Sequence, residues 1–179
     1  MDRQTDRRIM RTNANLRKSL MAIMHETDWD DISIGLICNH ANIARSTFYT
    51  HFENKQELLD FCFDELQQEF ELHPTERGVA KNQTLGFLPQ LIAHVAEHGE
   101  LFGKLSSSTN GLIILNKFMS IVCEFTNREL KAADLNETET AYICGGISGL
   151  LEHWHKTGYK LPQAEFIKQV DTLVKRSIR

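Results

Sequence analysis

The stretch Ile32-Ser33-Ile34-Gly35-Leu36-Ile37-Cys38-Asn39-His40-Ala41-Asn42-Ile43-Ala44-Arg45-Ser46-Thr47-Phe48-Tyr49-Thr50-His51-Phe52 decides the fold of this 179-residue chain. Ser33 is placed to cap a short helix over 34–40, whose inward side carries Ile34, Ile37, Cys38 and Ala41. Gly35 weakens that helix by about 1 kcal/mol relative to Ala, so tertiary packing must hold it. Ala41-Asn42-Ile43-Ala44 then forms a tight turn, and Asn42 tolerates the left-handed backbone such a turn demands. A further short helix is predicted over 45–51, with Phe48 and Phe52 on one side and Arg45, Ser46, Thr47, Tyr49 and His51 on the other. Two short helices joined by a turn of this length, behind a longer first helix, form the layout of a helix-turn-helix.

Upstream, Ile9, Thr12, Asn13, Leu16, Leu20, Ile23 and Met24 recur at three- and four-residue steps and predict an amphipathic helix over about 5–26. It runs into an acidic turn, Glu26, Asp28, Asp30 and Asp31 around Trp29, which would repel phosphate and must face away from any nucleic acid. Downstream, Asn54 is a cap for a helix carrying Leu58, Leu59, Cys62, Phe63, Leu66 and Phe70. Residues 74–82, with Pro74 and Gly78, read as a loop. Helices follow over 84–98, with Pro89 in the first turn or as a kink, and over 100–105. A centrally buried helix spans 111–130, and a final pair spans 137–156 and 162–177, separated by Gly158 as a stop and Pro162 as a start. Ten Gly and three Pro are too few for the turns of a β-sandwich, so the fold class is all-α.

Hydrophobic residues make up 41% and charged residues 25%, the balance of a chain that buries a core and does not remain disordered. Four scattered cysteines without a Cys-x-x-Cys pair read as small buried residues in a reducing compartment. The longest central apolar run, 112–115, falls far short of the roughly 20 residues a membrane span requires. The N-terminus has no secretory signal pattern, and a cytoplasmic location is expected. The net charge of −4 speaks against a nucleic-acid partner only until it is divided along the chain. Residues 1–59 balance 8 Lys/Arg with 8 Asp/Glu, whereas residues 60–179 hold 12 against 16. Arg3, Arg7, Arg8, Arg11, Arg17 and Lys18 make the first 18 residues locally basic, either as a plain solvated helix face or as an electrostatic footprint.

Leu20, Ile32-Ser33-Ile34, Ile37, Ala41-Asn42-Ile43, Arg45-Ser46-Thr47-Phe48-Tyr49, His51-Phe52 and Lys55-Gln56-Glu57-Leu58-Leu59, taken in order, resemble the N-terminal region of the TetR family of transcriptional regulators. The resemblance implies a helix-turn-helix DNA-binding domain over 1–54, a regulatory and dimerisation domain over 55–179, and double-stranded DNA as partner. It implies that Ser33 caps the second helix beside a phosphate, and that Arg45, Ser46 and Thr47 meet base edges. Tyr49, His51 and Lys55 would position the backbone. Two positions depart from the family pattern. Asn42 stands where Gly is usual, a mild change, and Ala44 stands where Ser is usual, which removes about 1 kcal/mol of helix capping. Leu36 occupies a position that is usually polar and is unexplained.

The run from Tyr142 through Trp154, with Gly158 and Pro162, is similar to a small C-terminal domain class of TetR-like regulators typical of Firmicutes. A homodimer is therefore expected, through one stripe of Ile143, Ile147, Leu150, Leu151 and Trp154 and another of Phe166, Val170, Leu173 and Val174. Gly145, Gly146 and Gly149 would admit a facing helix closely. The alternative is that these stripes fill the core of a monomer. The family also implies a small-molecule effector, for which Phe63, Phe70, Phe87, Phe102, Phe118, Met119 and Phe125 are candidate lining residues, or else a protein partner in the manner of a coregulator. No cofactor and no enzyme activity are expected. A metal-dependent enzyme would have to use His94, Glu97 and His98, or His153 and His155. These lack the His-Glu-x-x-His pattern, and their side chains are assigned solvent or helix-end roles.

Overall fold

The computed structural model describes residues 3–72 and 84–178. Its helices are α1 (Arg3–Glu26), α2 (Ile34–Ala41), α3 (Arg45–Tyr49), α4 (Lys55–Leu72), α5 (Leu88–Glu97), α6 (Gly99–Leu105), α7 (Thr109–Leu130), α8 (Glu137–Lys156) and α9 (Gln163–Ser177). The described residues contain no strand, and none of their helices is long and apolar enough to cross a membrane. The loop read over 74–82 lies outside the described residues.

The turn chemistry accounts for most boundaries. Asn42 sits at φ 53°, ψ 50° and closes α2 by donating its N–H to the Asn39 and Cys38 carbonyls, the left-handed role that its short amide side chain permits. Helix α3 ends two residues earlier than expected, and His51 and Phe52 donate instead to the Phe48 carbonyl in a closing turn. Pro89 lies in the first turn of α5, where its missing N–H costs nothing. Asn136 and Glu139 form a reciprocal capping box at the start of α8, and Gly158, at φ 68°, follows its end. The acidic turn over 29–31 is a single 3-10 turn.

A continuous core runs from Leu16, Leu20, Ile37 and Phe48 at one end to Ile147, Trp154, Phe166 and Val170 at the other. The last of these require a correction to the expected dimer stripe. Ile143, Ile147, Trp154, Phe166 and Val170 are buried within a single chain. Trp154 stacks on Phe166 at 4.5 Å, meets Tyr159 edge-on, and donates its indole N–H to the Leu161 carbonyl at 2.8 Å. Helices α8 and α9 therefore spend these apolar faces on each other and on α5–α7. Leu150 is half-buried, and Gly145, Gly146, Gly149 and Leu173 of the expected set remain exposed.

Candidate nucleic-acid interface and internal cavity

The helix-turn-helix is held by side chains whose roles can be read one by one. Ser33 Oγ accepts the Leu36 N–H at 3.1 Å and caps α2. Asn15 Nδ2 donates to the Ala41 carbonyl at 2.7 Å, pinning the end of α2 to α1. Phe48 is fully buried, packs against Phe52, and through it joins Phe61 of α4. With α3 anchored from beneath, its other side faces outward: Ser33, Arg45, Ser46 and Tyr49 are exposed, and Thr47 and His51 are half-buried. Arg45 and Ser46 make no side-chain hydrogen bond or ion pair among the described residues. Ala44, at the start of α3, supplies no side-chain cap.

Lys55 is more engaged than its sequence position implied. Its ammonium donates to the carbonyls of Trp29, at 2.6 Å, and Ile32, at 2.9 Å, and lies 4.6 Å from the Trp29 ring centroid. It thus braces the acidic turn against α4, with one N–H left over. That turn faces the body of the molecule: Asp30 accepts from Asn110 Nδ2 at 2.7 and 2.8 Å, and Asp28 pairs with Lys104 at 3.7 Å. Partners this distant in sequence leave no periodic trace, and for that reason the brace was not legible.

Between α1, α4, α5, α6 and α7 lies a cavity of about 370 Å³. Phe63, Phe102 and Phe118 line it, together with Met21, Met24, Leu59, Leu66, Leu101, Ile114 and Leu115. The other expected lining residues lie elsewhere. Phe70, Phe87 and Phe125 pack on one another with ring centroids 5.4–5.9 Å apart, and Met119 borders a shallow depression with Asn116, Ser120 and Cys123. Arg17, Lys18, Glu69, Glu97, His94 and His98 supply the polar part of the cavity wall, with Arg17 paired to Glu69 at 3.2 Å.

Of the histidines assigned solvent or helix-end roles, His98 caps the end of α5 and His153 is exposed, whereas His94, in the last turn of α5, is turned into the cavity wall. His94 stacks on Phe118, and burial first, then the neighbouring His98 and Arg17, pushes its pKa down to about 3, so it stays neutral at physiological pH. Burial also lowers His98, against an opposing pull from Glu97. His98 Nδ1 lies 3.2 Å from Nε2 of His25, at the end of α1, so one imidazole must donate and the other accept. His153 is exposed, and His155 bonds the Tyr159 hydroxyl at 2.8 Å. Among the described residues, no three His, Cys, Asp or Glu side chains converge as a metal would require.

Among the described residues, a capped, tight-turned helix pair at one end with a cavity in the helical body behind it defines a helix-turn-helix fold. Residues 18–61 match the family described as bacterial regulatory proteins, tetR family. The match lies on the helix-turn-helix end of the chain, which is what is similar to that family of regulatory proteins. The chain is 42% identical over 59 residues to the uncharacterized HTH-type transcriptional regulator YxbF of Bacillus subtilis, a match spanning 32% of this chain and 16% of that protein. Among solved structures it is similar to a TetR transcriptional regulator from Streptococcus agalactiae, at 20% identity and a TM-score of 0.66, over 95% of this chain and 97% of the other. It is also similar to the dihydroxyacetone kinase operon activator DhaS, at 19% identity and a TM-score of 0.67, over 93% and 96%. At such identities these two likenesses concern the fold.

Proposed function

We propose that this chain is a sequence-specific DNA-binding regulator, a repressor, which acts as a homodimer on a palindromic operator and is released by a small-molecule effector. The observation that carries the reading is the first turn of α3: Arg45 and Ser46 are exposed and unpartnered among the described residues, beside a capped α2, on a helix fixed from beneath by Phe48. Groups left without protein partners on a rigid helix suit base edges in a major groove, with a guanidinium matched to guanine. In this reading Arg45, Ser46 and Thr47 select bases. Tyr49, His51, the α2 N-terminus at Ser33 and the remaining N–H of Lys55 hold phosphates.

One short helix reads too few base pairs for useful affinity, so a second copy is required. The surface that suits it is the outward side of α8 and α9, where Tyr142, Leu150 and Leu173 flank Gly145, Gly146 and Gly149, each of which faces open space. A helix of the partner fits along such a flat strip. The cavity suits an uncharged, largely apolar effector with one hydrogen-bonding group. Its walls are mostly aliphatic and aromatic, Arg17 is compensated by Glu69, and the His94 imidazole is neutral. Such a ligand would press on His98 and, through it, on His25 of α1.

The test is a gel shift with the DNA upstream of the chain's own gene at two salt concentrations, alongside light scattering. Salt-sensitive, sequence-selective retardation by a dimer is expected. No retardation at low salt would replace this reading with a coregulator that docks on a protein, and a monomeric mass at micromolar concentration would remove the dimer.

A further inference from the structure

We infer that Gly35 is the seat of Arg45, and that this pair determines which base the recognition helix selects. The inference rests on the DNA-binding reading above and adds a specificity determinant that lies on α2, outside the recognition helix. Gly35 is buried, and what a Cβ there would meet is the Arg45 guanidinium. A Cβ at position 35 would overlap Nη2 of Arg45 and lie 3.1 and 3.3 Å from its Cζ and Nε. The backbone at Gly35 is ordinary helix with negative φ, so no turn geometry asks for glycine there. Glycine weakens this eight-residue helix. What its missing side chain provides is room for the guanidinium.

The consequence is geometric. Resting on α2, the guanidinium forms no ion pair or hydrogen bond among the described residues, so all its N–H donors stay free while its position is confined. A confined side chain gives up less conformational freedom when it meets a base, and its reach is fixed relative to α2 as well as α3. Any side chain at position 35 would lift Arg45 off this seat and redirect it, at a scale where one base step is only about 3.4 Å. Gly35 is thus a positioning residue that acts through Arg45.

Selection of bound duplexes from a random pool, with wild type, Gly35→Ala, Arg45→Ala and the double variant, tests this. The displaced group is the far end of a flexible side chain, and Ala favours the helix, so Gly35→Ala should fold with an unchanged or higher Tm. We expect it to weaken the preference at the base read by Arg45 roughly tenfold, or to move it to a neighbouring position, and to change nothing further in the Arg45→Ala background. A Gly35→Ala profile identical to wild type, or the same change in both backgrounds, overturns the inference while the regulator reading stands. A wild type with no sequence preference overturns both. Melting without DNA tests the seat by itself: Gly35→Ala should raise Tm more when Arg45 is replaced by Ala than when it is present, and equal rises would show that the two residues do not meet.

Discussion

The helix-turn-helix end and the α8–α9 end of this molecule carry the same kind of amphipathic pattern and use it in opposite ways. In the first, Phe48 and Phe52 turn inward, and Arg45 and Ser46 on the other side of α3 make no side-chain hydrogen bond or ion pair among the described residues. In the second, the apolar stripes of α8 and α9 are consumed by one another, and what faces outward is a run of glycines edged by Tyr142 and Leu173. An apolar stripe announces burial but not what covers it. Cover from the same chain and cover from a second copy look identical in sequence, because both require only the helical period.

Four measurements break or sharpen that contrast, the largest effect first. Trp154→Ala should cost about 3–5 kcal/mol in chemical denaturation, because the indole fills the single-chain core and its N–H leaves the Leu161 carbonyl unpaired. If the variant instead kept full monomer stability and lost only self-association, the buried stripe around Trp154 would belong to the interface and not to the single-chain core. Acid should act through His94. With its folded pKa at about 3 and an ordinary value of 6.5, the unfolded chain takes up the proton first as the pH falls. Stability is therefore unaffected above pH 6.5 and declines below it, by on the order of 3 kcal/mol near about pH 4. His94→Phe should remove that slope from a pH series of melting curves.

Lys55→Met comes next. Losing two charge-assisted hydrogen bonds to partly buried carbonyls should destabilise the helix-turn-helix end by about 2 kcal/mol. It should also weaken binding to all DNA sequences alike, with a flatter salt dependence. Selective loss at the operator would assign Lys55 to base reading. The smallest effect is a gain. Ala44→Ser restores a hydroxyl where α3 has no side-chain cap, and should add about 0.5–1 kcal/mol to stability without altering base preference.

What could be read from the sequence was local. Ser33, Asn42, Ala44 and Phe48 act on groups within a few residues, so their roles followed from type and spacing. The links between segments did not. Lys55 on the Trp29 carbonyl, Asn110 on Asp30 and His25 on His98 join residues 26, 80 and 73 positions apart, and a one-dimensional pattern holds no record of such meetings. The same limit scattered the expected cavity residues. Phe63, Phe102 and Phe118 share its wall, whereas Phe70, Phe87 and Phe125 form a separate aromatic knot, and all six are phenylalanines on apolar helix faces. Gly35 was legible only as a weakness, since its purpose is set by a side chain ten positions later.

Helix α1 belongs to two compartments at once. Asn15 grips the end of α2, and over the next turns Arg17, Lys18, Met21 and Met24 form part of the cavity's wall. A single uninterrupted rod therefore serves as roof beam for one room and side wall for the next, and no joint lies between them to absorb a push. Whatever enters the cavity leans on the same shaft that carries the reading pair. A fragment cut after Asn54 would leave Met21 and Met24 stripped of their cover, an oily flank on an orphaned head.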